Sequence, residues 1–153
     1  MKNLIYDTNI VLGIIRSKKT EELIEYINPN DKDVYTSVIV EGEIKSIALR
    51  NKWGKEKMAK LDFYFNRFSF LEVTKTFVNT YVEIDTFSQR LNPIFPEYFF
   101  DTPRNMGKND LWIAATASLL GLELVTTDAD FTHLHNIFLD VRQIDVNGMR
   151  KYF

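Results

Sequence analysis

Two short apolar runs, each stopped by a carboxylate, constrain this chain most. Asn3–Tyr6 (NLIY) runs straight into Asp7. Leu122–Thr126 (LELVT) runs into Thr127-Asp128-Ala129-Asp130. Runs this short and apolar read as buried strands. Longer stretches of helical spacing lie between and around them. Ile10–Ile15 and Leu23–Ile27 read as helix, closed by Asn28-Pro29-Asn30. Val34-Tyr35-Thr36 reads as a short strand. Ser37 then offers an N-cap to a helix carrying Val40, Ile44 and Ile47. Residues 55–68 read as helix with Met58, Leu61, Phe65 and Phe68 as its apolar stripe. Leu71-Glu72-Val73 is a strand candidate, Phe77–Leu91 a helix, and Ile137–Val141 an edge strand.

Residues 92–106 break the pattern. Pro93, Pro96 and Pro103 stand among Phe95, Tyr98, Phe99 and Phe100. Three prolines deny a regular helix, so a long loop is expected. It would shape a groove, dock a partner, or fold back onto the core. Leu111–Leu120 follows as a helix apolar almost all round and therefore buried. Asn109 is its expected N-cap and Gly121 its C′ residue. Strands alternating with helices argue an α/β fold with a parallel sheet and helices on both faces. With no repeat or linker, residues 1–153 read as one domain.

Composition then narrows the chemistry. The chain has 153 residues and no cysteine, which excludes thiol catalysis and a Cys-ligated zinc site. His133 and His135 are its only histidines, too few for a His-rich metal site, and both read as surface or turn residues. No run approaches the roughly 18 apolar residues of a membrane span, and the opening MKNLIYDTN carries no signal-peptide pattern. A cytoplasmic protein is expected. Net charge is −2, yet residues 45–67 carry seven basic and two acidic side chains. A solvated helix face is the commoner reason for such a block; contact with phosphates is the other.

The carboxylates converge. In parallel sheets, ligands sit at the carboxyl ends of the strands. Asp7 and Asp128, with its neighbour Asp130, follow two such ends. Asp110 opens the buried helix, and Glu43 lies at the edge of the second helix's apolar stripe. Each has an ordinary alternative. Asp7 suits an N-cap, Asp110 complements a helix dipole, Glu43 suits a solvated face or a pair with Arg50, and Asp128 suits an Asx turn. Together, such like charges in a partly dry site raise one another's pKa unless a cation compensates. An all-oxygen donor set selects Mg²⁺ or Mn²⁺ over zinc.

Four segments carry a resemblance: LIYDTNIVL (4–12), TSVIVEGEI (36–44), NDLWIAATA (109–117) and LVTTDADF (124–131). The chain resembles PIN-domain ribonucleases, and among them VapC-type toxins of type II toxin–antitoxin systems. The Ser37 to Glu43 spacing singles out Glu43 over Glu41. The resemblance implies a three-layer α/β/α fold with a central, mostly parallel sheet. It also implies an RNA phosphodiesterase in which Asp7, Glu43, Asp110 and Asp128 hold Mg²⁺ or Mn²⁺. Asp130 would assist, and Thr8, Asn9, Ser37 and Thr126 would give polar support. Arg104 and Lys108, beside the third motif, are the preferred RNA-phosphate contacts. A cognate antitoxin and a homodimer are further implications. The alternatives are a noncatalytic PIN-like RNA-binding or scaffold domain, or a PIN nuclease of RNA processing outside any toxin–antitoxin pair. A dehalogenase-type phosphohydrolase is disfavoured, because Asp7-Thr8-Asn9 lacks the second Asp that such enzymes use.

Overall fold

The structure is a computed structural model that describes residues 2–153. Five parallel strands form one sheet: β1 (Leu4–Tyr6), β2 (Val34–Ser37), β3 (Ser69–Leu71), β4 (Glu123–Thr126) and β5 (Asp140–Gln143). Their spatial order is β3-β2-β1-β4-β5. Every strand is short, and β1 is buried throughout, as its unbroken apolar run requires. The helices are α1 (Thr8–Arg16), α2 (Thr20–Ile27), α3 (Val38–Arg50), α4 (Lys55–Phe65), α5 (Val78–Ser88), α6 (Lys108–Leu120) and α7 (Val146–Met149).

The chain steps from β1 to β2 to β3 in one direction, then crosses back past β1 to β4. Right-handed crossovers put α1–α4 on one face of the sheet and α5–α6 on the other. The order reverses between β1 and β4, whose register pairs Tyr6 with Val125. That reversal marks the carboxyl ends of these two strands as the place where open parallel sheets take ligands. The core fills both faces with Leu4, Ile5, Ile10, Ile44, Leu124 and Phe131, each fully buried.

Several boundaries differ from the sequence reading. β3 lies two residues earlier than Leu71–Val73, because Phe70 and Phe65 pack ring to ring at 5.1 Å and turn the chain into the sheet there. β5 lies later than Ile137–Val141, because the chain from Ala129 to Leu134 makes a 3-10 turn first. α6 starts at Lys108 with Gly107 as its N-cap and no capping side chain, so Asn109 is already helical. Gly121 does close that helix, at a left-handed φ of 65°.

Residues 92–106 form no regular element and fold onto the core. Phe87 of α5 is the hub. Its ring meets Phe95 at 4.6 Å, Tyr98 at 5.4 Å, Phe100 at 5.5 Å and Phe138 at 5.2 Å. Phe95, Tyr98 and Phe100 of the loop join this packing, while Phe99 stays exposed. His133 belongs to the same cluster and is 1% exposed, contrary to the expected surface position. Its Nε2 lies 2.7 Å from the Ser88 hydroxyl, and its ring stacks on Phe87. Burial pushes the imidazole down to about 4, and the charge of Arg104 adds to this. His135 is exposed, as expected, and its Nδ1 accepts the Val141 N–H at 2.9 Å.

Candidate metal centre at the carboxyl edge of the sheet

Asp7 sits at the reversal point because β1 ends there and α1 begins. Its carboxylate caps α1, accepting the Ile10 N–H at 3.2 Å, and it also accepts the Thr126 hydroxyl at the end of β4. Asp7 is therefore the N-cap of α1, and that role leaves its carboxylate at the carboxyl edge of the sheet. Thr126 is fully buried, and its hydroxyl oxygen also accepts the Asp128 N–H at 2.9 Å. One side chain thus fixes the first acid and the backbone of the fourth. Asp128 in turn accepts the Asp130 N–H at 2.9 Å, an Asx turn that opens the 3-10 segment.

Asp110 lies in the first turn of α6, where the helix dipole favours an anion. One carboxylate oxygen each from Asp110, Asp128 and Asp130 lies within 4.8 Å of the others. Asp130 thus joins the cluster directly, although the sequence reading ranks it as an assistant. Asp7 and Glu43 stand outside this trio but within its electrostatic reach. Glu43 extends from α3 and accepts the Asn109 Nδ2 at 3.2 Å. Asn109 is the residue that sequence reasoning missed here. Its signal was its place directly before Asp110, which suggested a cap instead. Arg50 turns to the Ser46 carbonyl and does not pair with Glu43.

The remaining expected residues are placed as follows. Ser37 is fully buried and caps α3 by accepting the Ile39 N–H at 3.1 Å. Thr8 opens α1, and Asn9 is exposed on its first turn. Lys108 is exposed at the start of α6, two residues from Asp110. Arg104 reaches the Ala129 carbonyl between Asp128 and Asp130 at 3.5 Å, while its own N–H is held by the Ser88 carbonyl at 2.7 Å. The packed loop therefore delivers one cation to the acidic edge.

The electrostatics tell what this edge lacks. Burial pushes the Asp7 carboxyl up to about 6; the Thr126 and Ile10 hydrogen bonds pull it back, and the charges of Asp110 and Asp128 add to the rise. Burial also raises Asp110 to about 6, reinforced by Asp128, Glu43 and Asp130. Buried carboxylates with further like charge beside them call for a positive counter-charge. The donors are all hard oxygens, and the described residues bring no histidine or cysteine to the cluster. That set fits Mg²⁺ or Mn²⁺.

Known proteins carry the same arrangement of strands and helices. The chain is similar to VapBC2 from Rickettsia felis, solved with a DNA fragment from its promoter, at 22% identity and a TM-score of 0.71; the match covers 93% of this chain and 98% of that one. Similarity to the DNA-bound VapBC of Salmonella typhimurium has a TM-score of 0.72 at 20% identity over 94% of this chain and 98% of that one. VapBC-5 from Mycobacterium tuberculosis matches at a TM-score of 0.63 and 19% identity, over 94% of this chain and all of that one (100%). No curated protein sequence matches the chain. The PIN domain profile matches residues 4–136, from the first residue of β1 to beyond the Asp128–Asp130 turn, and the chain belongs to the PIN domain family.

Proposed function

We propose that this chain is a Mg²⁺- or Mn²⁺-dependent ribonuclease, residues 1–153 acting as one domain, and that it is the toxin of a cytoplasmic toxin–antitoxin pair. The observation that carries the reading is the gathering of one carboxylate oxygen each from Asp110, Asp128 and Asp130 within 4.8 Å of one another, where burial, reinforced by neighbouring carboxylates, raises Asp7 and Asp110 to about 6. A structural cap or dipole partner needs no such crowding of like charge. Asp110, Asp128 and Asp130 would hold the ion, with Asp7 and Glu43 reaching it directly or through water. A bound divalent ion supplies a more acidic water and offsets charge on a phosphate ester.

The chain's own residues do the rest. Thr126 locks Asp7 and the Asp128 backbone in one geometry. Asn109 orients Glu43. Arg104 and Lys108 flank the acids and meet the phosphates on either side of the scissile bond. The described helices include none long and apolar enough to cross a membrane. The toxin role and an antitoxin partner rest on likeness to VapBC complexes, and a homodimer rests on the sequence resemblance alone. The test is cleavage of labelled total RNA by the purified chain with Mg²⁺ or Mn²⁺ against EDTA, beside Asp110→Asn. Metal-dependent cutting lost in the variant is expected. A folded wild type that cuts no RNA at any metal concentration overturns the enzymatic reading.

A further inference from the structure

The basic block of residues 45–67 does not stay one surface. Lys45 pairs with Glu41 at 3.0 Å, and Arg67 lies over the Phe63 ring at 3.7 Å. Lys55, Lys57 and Lys60 separate from these and turn toward the end of α1. There they meet Arg16, which lies far off in sequence. With Ile15, Gly54 and Glu56 they line a concavity of about 760 Å³. It holds four cations and one carboxylate.

None of the four cations is in an ion pair among the described residues; the pairs present there are Lys2–Asp140, Lys45–Glu41 and Arg142–Glu123. Each cation is instead held by a neutral partner or left free. Lys60 donates to the Ser17 carbonyl at 2.8 Å. Lys57 sits 4.4 Å over the Trp53 ring. Partial burial lowers the Lys60 ammonium, and the neighbouring Lys57 charge lowers it further. Like charges gathered in a recess focus a positive potential that a polyanion relieves. A merely solvated helix face pairs its charges or splays them, as Lys45 does.

We propose that Arg16, Lys55, Lys57 and Lys60 form a second RNA-binding surface that grips the phosphates of a single strand away from the cleaved bond. This rests on the ribonuclease reading for its ligand. Arg16 ends the helix that Asp7 caps. Nine residues of α1 separate the two ends, a rise of roughly 14 Å. A strand several nucleotides long reaches both, whereas a dinucleotide seated at the acids does not. Trp53, pinned beside Lys57, offers a ring on which an unstacked base can lie.

The test uses the full chain and two variants, Lys55→Gln/Lys57→Gln/Lys60→Gln and the milder Lys55→Gln/Lys57→Gln, which keeps the Lys60–Ser17 bond. Binding of a fluorescent single-stranded RNA is measured in EDTA as a function of salt. Single-strand contacts contribute about 0.7 to the log–log salt slope per cation, so the triple variant loses about 2 of slope and the double about 1.4. Between 50 and 200 mM salt the wild type then loses roughly 20-fold more affinity than the triple variant. With Mn²⁺ present, cleavage of the long RNA falls in both variants and cleavage of a dinucleotide does not. Unchanged slopes in both variants overturn the proposal. So does an unchanged RNA slope with lost binding to polyglutamate, which assigns the recess to an acidic protein. Failure of the ribonuclease reading looks different, since wild type then cuts neither substrate while the slopes still report on the recess.

Discussion

Replacing Asp110 by Asn should stabilise the metal-free protein while destroying the proposed cation site. Asp110 is held at about 6 against an ordinary 3.8. At pH 7.5 the ionised native carboxylate therefore carries a penalty of about 3 kcal/mol. The group is only half-buried, so solvent screening reduces this to about 1.5–2 kcal/mol. Asn keeps the shape and removes the charge, but it forfeits an anion in the first turn of α6, worth roughly 0.5 kcal/mol. The net gain is about 1–1.5 kcal/mol, or roughly 3–5 °C in Tm for a chain this size. The assay is thermal unfolding in EDTA at pH 7.5 and pH 5. A raised folded pKa gives stability that is present below the unfolded value and lost as pH rises through the folded value. The advantage of the variant should therefore shrink at pH 5, where the wild-type carboxyl takes up its proton. Mn²⁺ should then reverse the order at pH 7.5, raising the wild type and leaving Asp110→Asn unmoved. A variant no more stable than wild type in EDTA at pH 7.5 would refute the reasoning, because burial and the neighbouring carboxylates would not be raising Asp110.

Other outcomes follow from the same contacts. Thr126→Val removes the hydroxyl shared by Asp7 and the Asp128 N–H; unfolding in denaturant should show a loss of about 1–3 kcal/mol. Ser88→Ala leaves the His133 Nε2 unpaired in the core, again costing about 1–3 kcal/mol by denaturant unfolding. His133 is depressed to about 4, so its contribution is lost as pH falls from 6.5 toward 4, while Asp7 and Asp110 gain stability over much of that range. His133→Phe removes the opposing contribution, and its Tm relative to wild type should rise on acidification from pH 6.5 to 4. Gly121→Ala forces a side chain into φ 65° with open space around it; Tm should report roughly 1 kcal/mol of backbone cost and no clash.

The parts legible in the sequence were those with a local cause. The apolar runs of β1 and β4 are buried, and the acids that stop them lie at the carboxyl edge, because strand burial and strand ends are written in consecutive residues. Gly121 closes α6 for a similar reason, since a left-handed cap favours a residue without a side chain. What was hidden depends on partners distant in the chain. His133 looked like a turn residue because nothing near it in sequence announces Ser88 or Phe87, which bury it. Asn109 looked like a cap because its contact with Glu43 spans two helices. Asp130 seemed secondary to Asp128 until the Asx turn brought both toward Asp110. The basic block reads as one face, yet three of its seven cations, Lys55, Lys57 and Lys60, gather with the distant Arg16.

The proposed cation site is tested most directly by calorimetric titration of Mn²⁺ into the metal-free protein at pH 6 and pH 8, in buffers of different ionisation enthalpy. Asp7 and Asp110 at about 6 predict binding that releases about one proton at pH 6 and almost none at pH 8, and that is lost in Asp110→Asn. Binding that survives Asp110→Asn, or that releases no protons at pH 6, would contradict the assignment of these carboxylates as the cation site.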